Sequence, residues 1–152
     1  MDNSDKKLTD GGSKPPFIHL HIHSEYSLVD SIIRIKTLIA KAQKFHMPAI
    51  AMTDQSNLFG MVKFYQAAIA AGVKPIVGVD ATIRIEDSAN PTSRLVMLCK
   101  DYEGYLNLSR LVSRAYQEGQ NQGVPHISID WLNGHTNGLI ALSGGRDGDI
   151  GP

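Results

Sequence analysis

Cysteine is almost missing from this chain: Cys99 is the only one in 152 residues. An internal disulfide and a cysteine-built zinc knuckle are therefore excluded, and a reducing, cytoplasmic setting is the expectation. An excess of charge is missing too, because Lys plus Arg number 15 and Asp plus Glu number 15. A balanced chain carries no electrostatic footprint for nucleic acid or an anionic membrane. Any contact with DNA must then come from other parts of a larger protein. No apolar run is long enough to span a bilayer. The stretch 1–16, MDNSDKKLTDGGSKPP, lacks the apolar centre of a signal peptide and reads as a polar, disordered leader. No P-loop or dinucleotide fingerprint occurs, and Ser143 is not set in G-x-S-x-G. Aromatic residues do not interleave with a basic face, which argues against a stacking platform for single strands.

What is present is an alternation of strand and helix patterns. FIHLHI, from Phe17, alternates as a strand does. SIIRIKTLIAKAQKF places Ile32, Ile35, Leu38, Ile39 and Ala42 on one helical face, with Asp30 or Ser31 as its cap. Met47-Pro48 closes that unit. Ala49 to Thr53 is a short apolar run, as in a strand buried on both faces. A helix over roughly Asn57 to Ala71 follows, stopped by Gly72. KPIVGVDATIRI reads as a strand with a bend at Gly78, RLVMLC as the next strand, and YEGYLNLSRLVSRAYQEG as a helix burying Leu108, Leu111, Val112 and Ala115. SIDWL suggests a helical turn and GLIALS a last strand. The order β-α-β-α-β-β-α-β predicts a mainly parallel α/β sheet with helices outside it. Chemistry in such folds gathers at strand C-terminal ends. Here those are His23, Thr53-Asp54, Gly78 to Asp80, Cys99 and Ser143-Gly144.

His19, His21 and His23 share one face if the first segment is a regular strand. Imidazoles at i and i+2 can converge on one ion. Three half-exposed histidines bonded to backbone are the bland alternative. Asp30, seven residues on, offers a hard oxygen suited to Zn²⁺ or Mn²⁺, or else a helix cap. Asp54, ending a buried strand, needs a partner and either orients a ligand histidine from behind or starts an Asx turn. Asp80 bridges metals or is an exposed edge carboxylate. His46 reads as a helix C-terminal cation. His126 and His135 read as solvated loop residues, and Cys99 as packing.

FIHLHIHSEYSLVD, MPAIAMTDQSNLFGMVKFYQAAIAAGVKPIVGVD, LVMLCKDYEGYLNLSRLVSRAYQEG and GLIALSGGRDGDIG, in this order, resemble the PHP domain family. The polymerase branch of that family is the closer likeness, the module found at the N-terminus of bacterial replicative DNA polymerase III alpha subunits. The resemblance runs from Phe17 to Gly151. It implies a distorted β/α barrel cut short on its C-terminal side, with residues 17–152 as the front of the domain. It also implies that the polymerase domains, with their Mg²⁺ and their contact with DNA, lie elsewhere. It further implies docking of a proofreading exonuclease subunit and other replicase subunits, and no membrane partner.

Active PHP domains hold a multinuclear metal cluster that hydrolyses phosphoesters. By the resemblance His21 and His23 match its H-x-H ligands and Asp30 the carboxylate that follows, with His19 and Asp54 behind them. Elsewhere this chain departs from the pattern. Gln55 stands for a ligand histidine, Asp80 for a bridging glutamate, Arg94 for another histidine and Gly145 for a cysteine. A trinuclear site is not expected, and the set leaves at most a single weakly held Zn²⁺ or Mn²⁺ on His21, His23, Asp30 and Asp80. Two readings follow: a non-catalytic structural and partner-docking module of a replicative polymerase, or a metal-dependent phosphoesterase acting as a 3′–5′ exonuclease or pyrophosphatase.

Overall fold

The computed structural model describes residues 17–28, 30–86, 92–145 and 148. The polar leader expected over 1–16 lies outside the described residues. In chain order come α1 (Ile35–Lys44), β1 (Ala49–Gln55), α2 (Met61–Ala70), β2 (Lys74–Arg84), β3 (Thr92–Cys99), α3 (Tyr102–Glu118), β4 (Gln120–Asn121), β5 (Val124–Pro125), β6 (Ile127–Ser128) and β7 (Leu139–Ser143). A 3-10 turn at Ile129–Leu132 answers the helical turn expected at SIDWL. No helix among the described residues is long and apolar enough to cross a membrane.

One sheet runs in the order β1-β2-β3-β7, and β6 takes a place beside β2 at Ile83 and Arg84, beyond the end of β1. The strands β1, β2, β6 and β7 run one way, and β3 alone runs against them. The mainly parallel expectation therefore holds with one exception. β3 begins at Thr92, soon after β2 ends at Arg84, and so short a connection can only turn the chain back on itself. The reversal carries Cys99, paired with Leu139, to the pole opposite the strand ends named above. Among the described residues the sheet is open, with β7 paired on one side only.

Register sorts the side chains onto two faces. Ile50 and Met52 of β1 point toward α1 and α2, where Ile35, Ile39, Ala42, Phe64 and Ala68 complete one core. Val79, Ala81, Ile83 and Met97 meet Leu108, Leu111 and Ala115 of α3 in a second. Ala51, Val96 and Leu98 cluster on the other face, with Ile76 and Leu142 against them. Among the described residues helices thus cover one face only. Gln55, opposite Asp80 in the ladder, lies on the face they leave open, and Arg94 shares it.

Three local expectations are corrected. The first segment is extended but is not a strand. Ala51 N–H donates to His19 O and Thr53 N–H to Ile22 O, at 2.9 and 2.8 Å. Two residues of β1 thus face three of the segment, and the ladder loses register. Thr53 Oγ1 fills the gap by accepting from Ile22 N–H at 3.0 Å. The first helix begins at Ile35, after Arg34, and neither Asp30 nor Ser31 caps it. Ile32 stays almost wholly exposed, outside the helix. The second helix begins at Met61, because Asn57 Oδ1 accepts from Phe59 N–H and makes a turn first.

β2 passes unbroken through Gly78, which is paired with Thr53 on one side and Leu98 on the other. A Cβ there would lie 2.5 Å from Met97 O, so crowding by β3 explains the glycine. The first turn of α3 needs closer contact still. Asp101 caps it by accepting from Gly104 N–H at 2.9 Å, and a Cβ on Gly104 would fall 1.9 Å from Gly138 O. Gly138 itself takes φ +71, where side chains are strained.

Gly104→Ala is therefore expected to cost about 1–3 kcal/mol in urea unfolding, as overpacking does. Ser113→Ala, on the exposed side of α3, serves as the near-neutral control. A second expectation concerns Cys99, whose thiol burial pushes up to about 11, with Asp101 adding to it. Its alkylation at pH 8 should run about a hundredfold slower than that of an ordinary thiol, and keep rising with pH beyond 10. Ordinary alkylation rates at pH 8 would show a reactive, exposed thiolate instead.

Candidate metal site

The site grows from the end of β1. Asp54 is 1% exposed, and a carboxylate so placed needs donors. It accepts from Ser24 N–H at 2.6 Å, from Ser24 Oγ–H at 2.7 Å and from Ser27 Oγ–H at 2.8 Å. Ser27 Oγ also accepts from Gln55 N–H at 2.9 Å. Asn57 Nδ2 donates to Tyr26 O and Gln55 O, stitching the same turn to the loop after β1. These bonds fix the chain immediately after His23. The sequence leaves Asp54 either orienting a ligand histidine or starting an Asx turn. Asp54 touches no histidine, and acts through the backbone and hydroxyl of Ser24.

Held this way, His21 and His23 bring their Nε2 atoms 3.2 Å apart. Each Nε2 lies 3.0 Å from Asp80 Oδ2. Asp30 bonds the far nitrogen of His23, Nδ1. It therefore sits behind the ring and sets its tautomer, the place expected for an orienting carboxylate. His19 does not join them: its ring meets the edge of Phe17, with centroids 4.6 Å apart. The lost ladder register explains why the three histidines do not share a face.

Asp80 lies within β2, four residues short of its end, and is buried rather than an exposed edge group. Arg94 grips it with Nε on Oδ1 at 3.1 Å and a terminal nitrogen on Oδ2 at 2.5 Å. Burial opposes charge on Asp80, but the bonds from His23 and Arg94 outweigh it and hold the carboxyl down at about 2. The Asp80 bond raises His23 above its usual 6.5 against the effect of burial, with Asp30 adding to the rise. The sign follows from linkage: the lowered Asp80 stabilises the fold above the ordinary carboxylate range and loses that as pH falls toward 2. The raised His23 stabilises it below about 6.5 and loses that as pH climbs through its folded value.

His21, His23, Asp30, Gln55, Asp80, Arg94 and Gly144 line a pocket of about 480 Å³. His21, His23 and Asp80 offer ligand atoms that all lie within 4.8 Å of one another. Two imidazoles and a carboxylate fit one Zn²⁺- or Mn²⁺-like ion. The other walls are the Asp30 carboxylate, already bonded to His23, a neutral amide, a guanidinium and a glycine, which do not build the ligand shells of a second or third ion. Gly145, like Gly144, brings no ligand atom. His126, expected to be solvated, is instead buried, and its Nδ1 lies 2.8 Å from Val124 O.

The sequence marks Thr53 only as a strand end and Asn57 only as a helix start, and it does not single out Ser24 or Ser27. The signal was there in part: a carboxylate ending a buried strand requires donors, and S-E-Y-S beside the histidines supplies two hydroxyls. Asp54→Ala should leave both serine hydroxyls buried without an acceptor and cost about 2–5 kcal/mol in thermal or urea unfolding. Faster hydrogen exchange at the Ser24 amide should accompany it. An unchanged Ser24 amide in that variant would show that Asp54 is not the anchor.

Residues 19–152 match the PHP domain family. The DNA polymerase III subunit alpha of Vibrio cholerae is 46% identical over 91% of this chain, and that of Escherichia coli K12 is 45% identical over 91%. The chain spans 12% of the length of each of these relatives. An amidohydrolase from Chromobacterium violaceum shares the fold with a TM-score of 0.52, at 23% identity, over 66% of this chain and 33% of that one. Motif order, fold and family match agree, and this chain belongs to the PHP domain family.

Proposed function

We propose that this chain is the N-terminal PHP module of a bacterial replicative DNA polymerase III alpha subunit, and that it serves DNA replication as a structural and partner-docking domain without hydrolytic activity. The observation that carries the reading is 45–46% identity to alpha subunits across nine-tenths of the chain. Nucleotidyl transfer, its Mg²⁺ and the contact with DNA would belong to the remainder of the polypeptide. The partners would be the proofreading exonuclease subunit and other replicase subunits, in the cytoplasm.

The lack of hydrolysis is argued from Arg94. A hydrolytic PHP site needs several cations a few ångströms apart. Here a permanent positive charge already rests on both oxygens of Asp80. At ~4 Å and an effective dielectric of ~20, a unit charge and a divalent cation repel by roughly 8 kcal/mol. Cation and guanidinium therefore compete for one carboxylate. His21 and His23, with Asp80, would hold at most a single ion, and Asp30 would fix the His23 ring.

The second reading, a metal-dependent phosphoesterase, is favoured by that same three-ligand set. A divalent ion there would supply Lewis-acid polarisation of a phosphoester oxygen. His21 and His23 would then bind through Nε2, and Asp30 would keep the His23 proton on Nδ1.

Elemental analysis of the full natural polypeptide separates the two readings. Comparing wild type with His21→Ala/His23→Ala is expected to show a difference of no more than one ion per chain. Hydrolysis of a phosphodiester should be equal in both. A difference of two or more ions, with hydrolysis lost in the double variant, would establish the phosphoesterase.

A further inference from the structure

We propose that Arg94 is the oxyanion receptor of this pocket and becomes free to act only when a divalent cation takes Asp80, so that cation and oxyanion bind cooperatively. The inference rests on the reading that His21, His23 and Asp80 can hold one ion.

Arg94 occupies Asp80 completely. Its Nε lies 3.1 Å from Oδ1 and its terminal nitrogen 2.5 Å from Oδ2, the oxygen that also faces both histidines. A cation liganded by that oxygen and the two Nε2 atoms takes the place of these donors. The terminal nitrogen has to leave Oδ2, and repulsion between the two positive charges drives the rest of the fork off Oδ1. Paired with Asp80 the side chain is 25% exposed, and once displaced the fork carries into the pocket a charge that no pH near neutrality removes. That unpaired charge favours an anion beside it. Of the two carboxylates lining the pocket, Asp80 is given to the cation and Asp30 is engaged by His23.

The surroundings leave space for an anion and hold the base of Arg94 still. Gly144, at the end of β7, packs so closely that a Cβ there would lie 2.4 Å from Arg94 O and 2.6 Å from Arg94 Cβ. The backbone of Arg94 is thereby pinned between β2 and the end of β7, and its fork alone is free to swing. The fork opens on about 480 Å³ of pocket, with the Gln55 side chain as a further donor. A planar fork beside a divalent cation matches a tetrahedral oxyanion of the phosphate type, which two positive groups can grip at once. Thermodynamic reciprocity follows: the anion tightens the cation by the same factor as the cation tightens the anion.

The test is a titration with Mn²⁺, read by the loss of its free electron-paramagnetic-resonance signal, with and without inorganic phosphate. It uses the full natural polypeptide, and sites elsewhere are subtracted with His21→Ala/His23→Ala. In wild type, phosphate is expected to tighten Mn²⁺ by about tenfold or more. In Arg94→Gln, Mn²⁺ alone should bind tighter than in wild type, and phosphate should change its affinity by less than about twofold. Arg94→Lys keeps the charge but not the fork, and should fall between the two. Association of Mn²⁺ with phosphate in solution is common to all variants and cancels in the comparison. Equal tightening in wild type and Arg94→Gln, or Mn²⁺ binding in wild type that ignores phosphate, overturns the inference and leaves the single-ion reading intact. No Mn²⁺ binding attributable to His21 and His23 under either condition overturns both.

Discussion

A buried carboxylate at the end of β1 holds the rest of the site in place. The segment that carries His21 and His23 has no regular ladder, and its direct backbone bonds to β1 are those of His19 and Ile22. Asp54 supplies what the ladder does not. Three donors from Ser24 and Ser27 converge on its two oxygens. With Ser24 fixed, His23 can point in only a few directions, and Asp30 selects among them by bonding Nδ1. The geometry at Asp80 is a consequence of this anchor and of the strand register that sets Gln55 beside Asp80.

Asp54 and Asp80 are both buried, and the sheet uses them differently. Asp54 faces the helical side and is satisfied by neutral hydroxyls and an amide. Asp80 faces the side without helices and is satisfied by two imidazoles and a guanidinium. A carboxylate held by neutral donors is a fastening. One held by a guanidinium is exchangeable, because another cation can take its place. That contrast makes Asp80, and not Asp54, the centre of the chemistry.

Much of the fold was legible in periodicity. Ile35, Ile39 and Ala42, and Leu108, Leu111 and Ala115, fall on the buried faces that their spacing indicates. The failures share a cause. Ile32 continues the apolar spacing of α1 but lies before it, because Ser24, Ser27 and Ser31 are committed to bonds with Asp54 and His23. Asn57 begins a helical-looking stretch but spends its side chain on a turn. In the first place local pattern loses to the bonds of Ser24 and Ser27 with the distant Asp54, and in the second to the short turn of Asn57 onto Phe59.

By itself the sequence determined the family, the α/β class, the two helical stripes and the pair His21 and His23, since each is written in residues close together in the chain. Only the tertiary structure decided what the pair means. It left His19 outside, put Asp30 behind His23, sank Asp80 into β2 and laid Arg94 across both its oxygens. The physical reason is that a charged group is defined by the charges around it. Those neighbours are brought together by a register between β2 and β3 and by a turn pinned to Asp54, and neither is visible in local spacing.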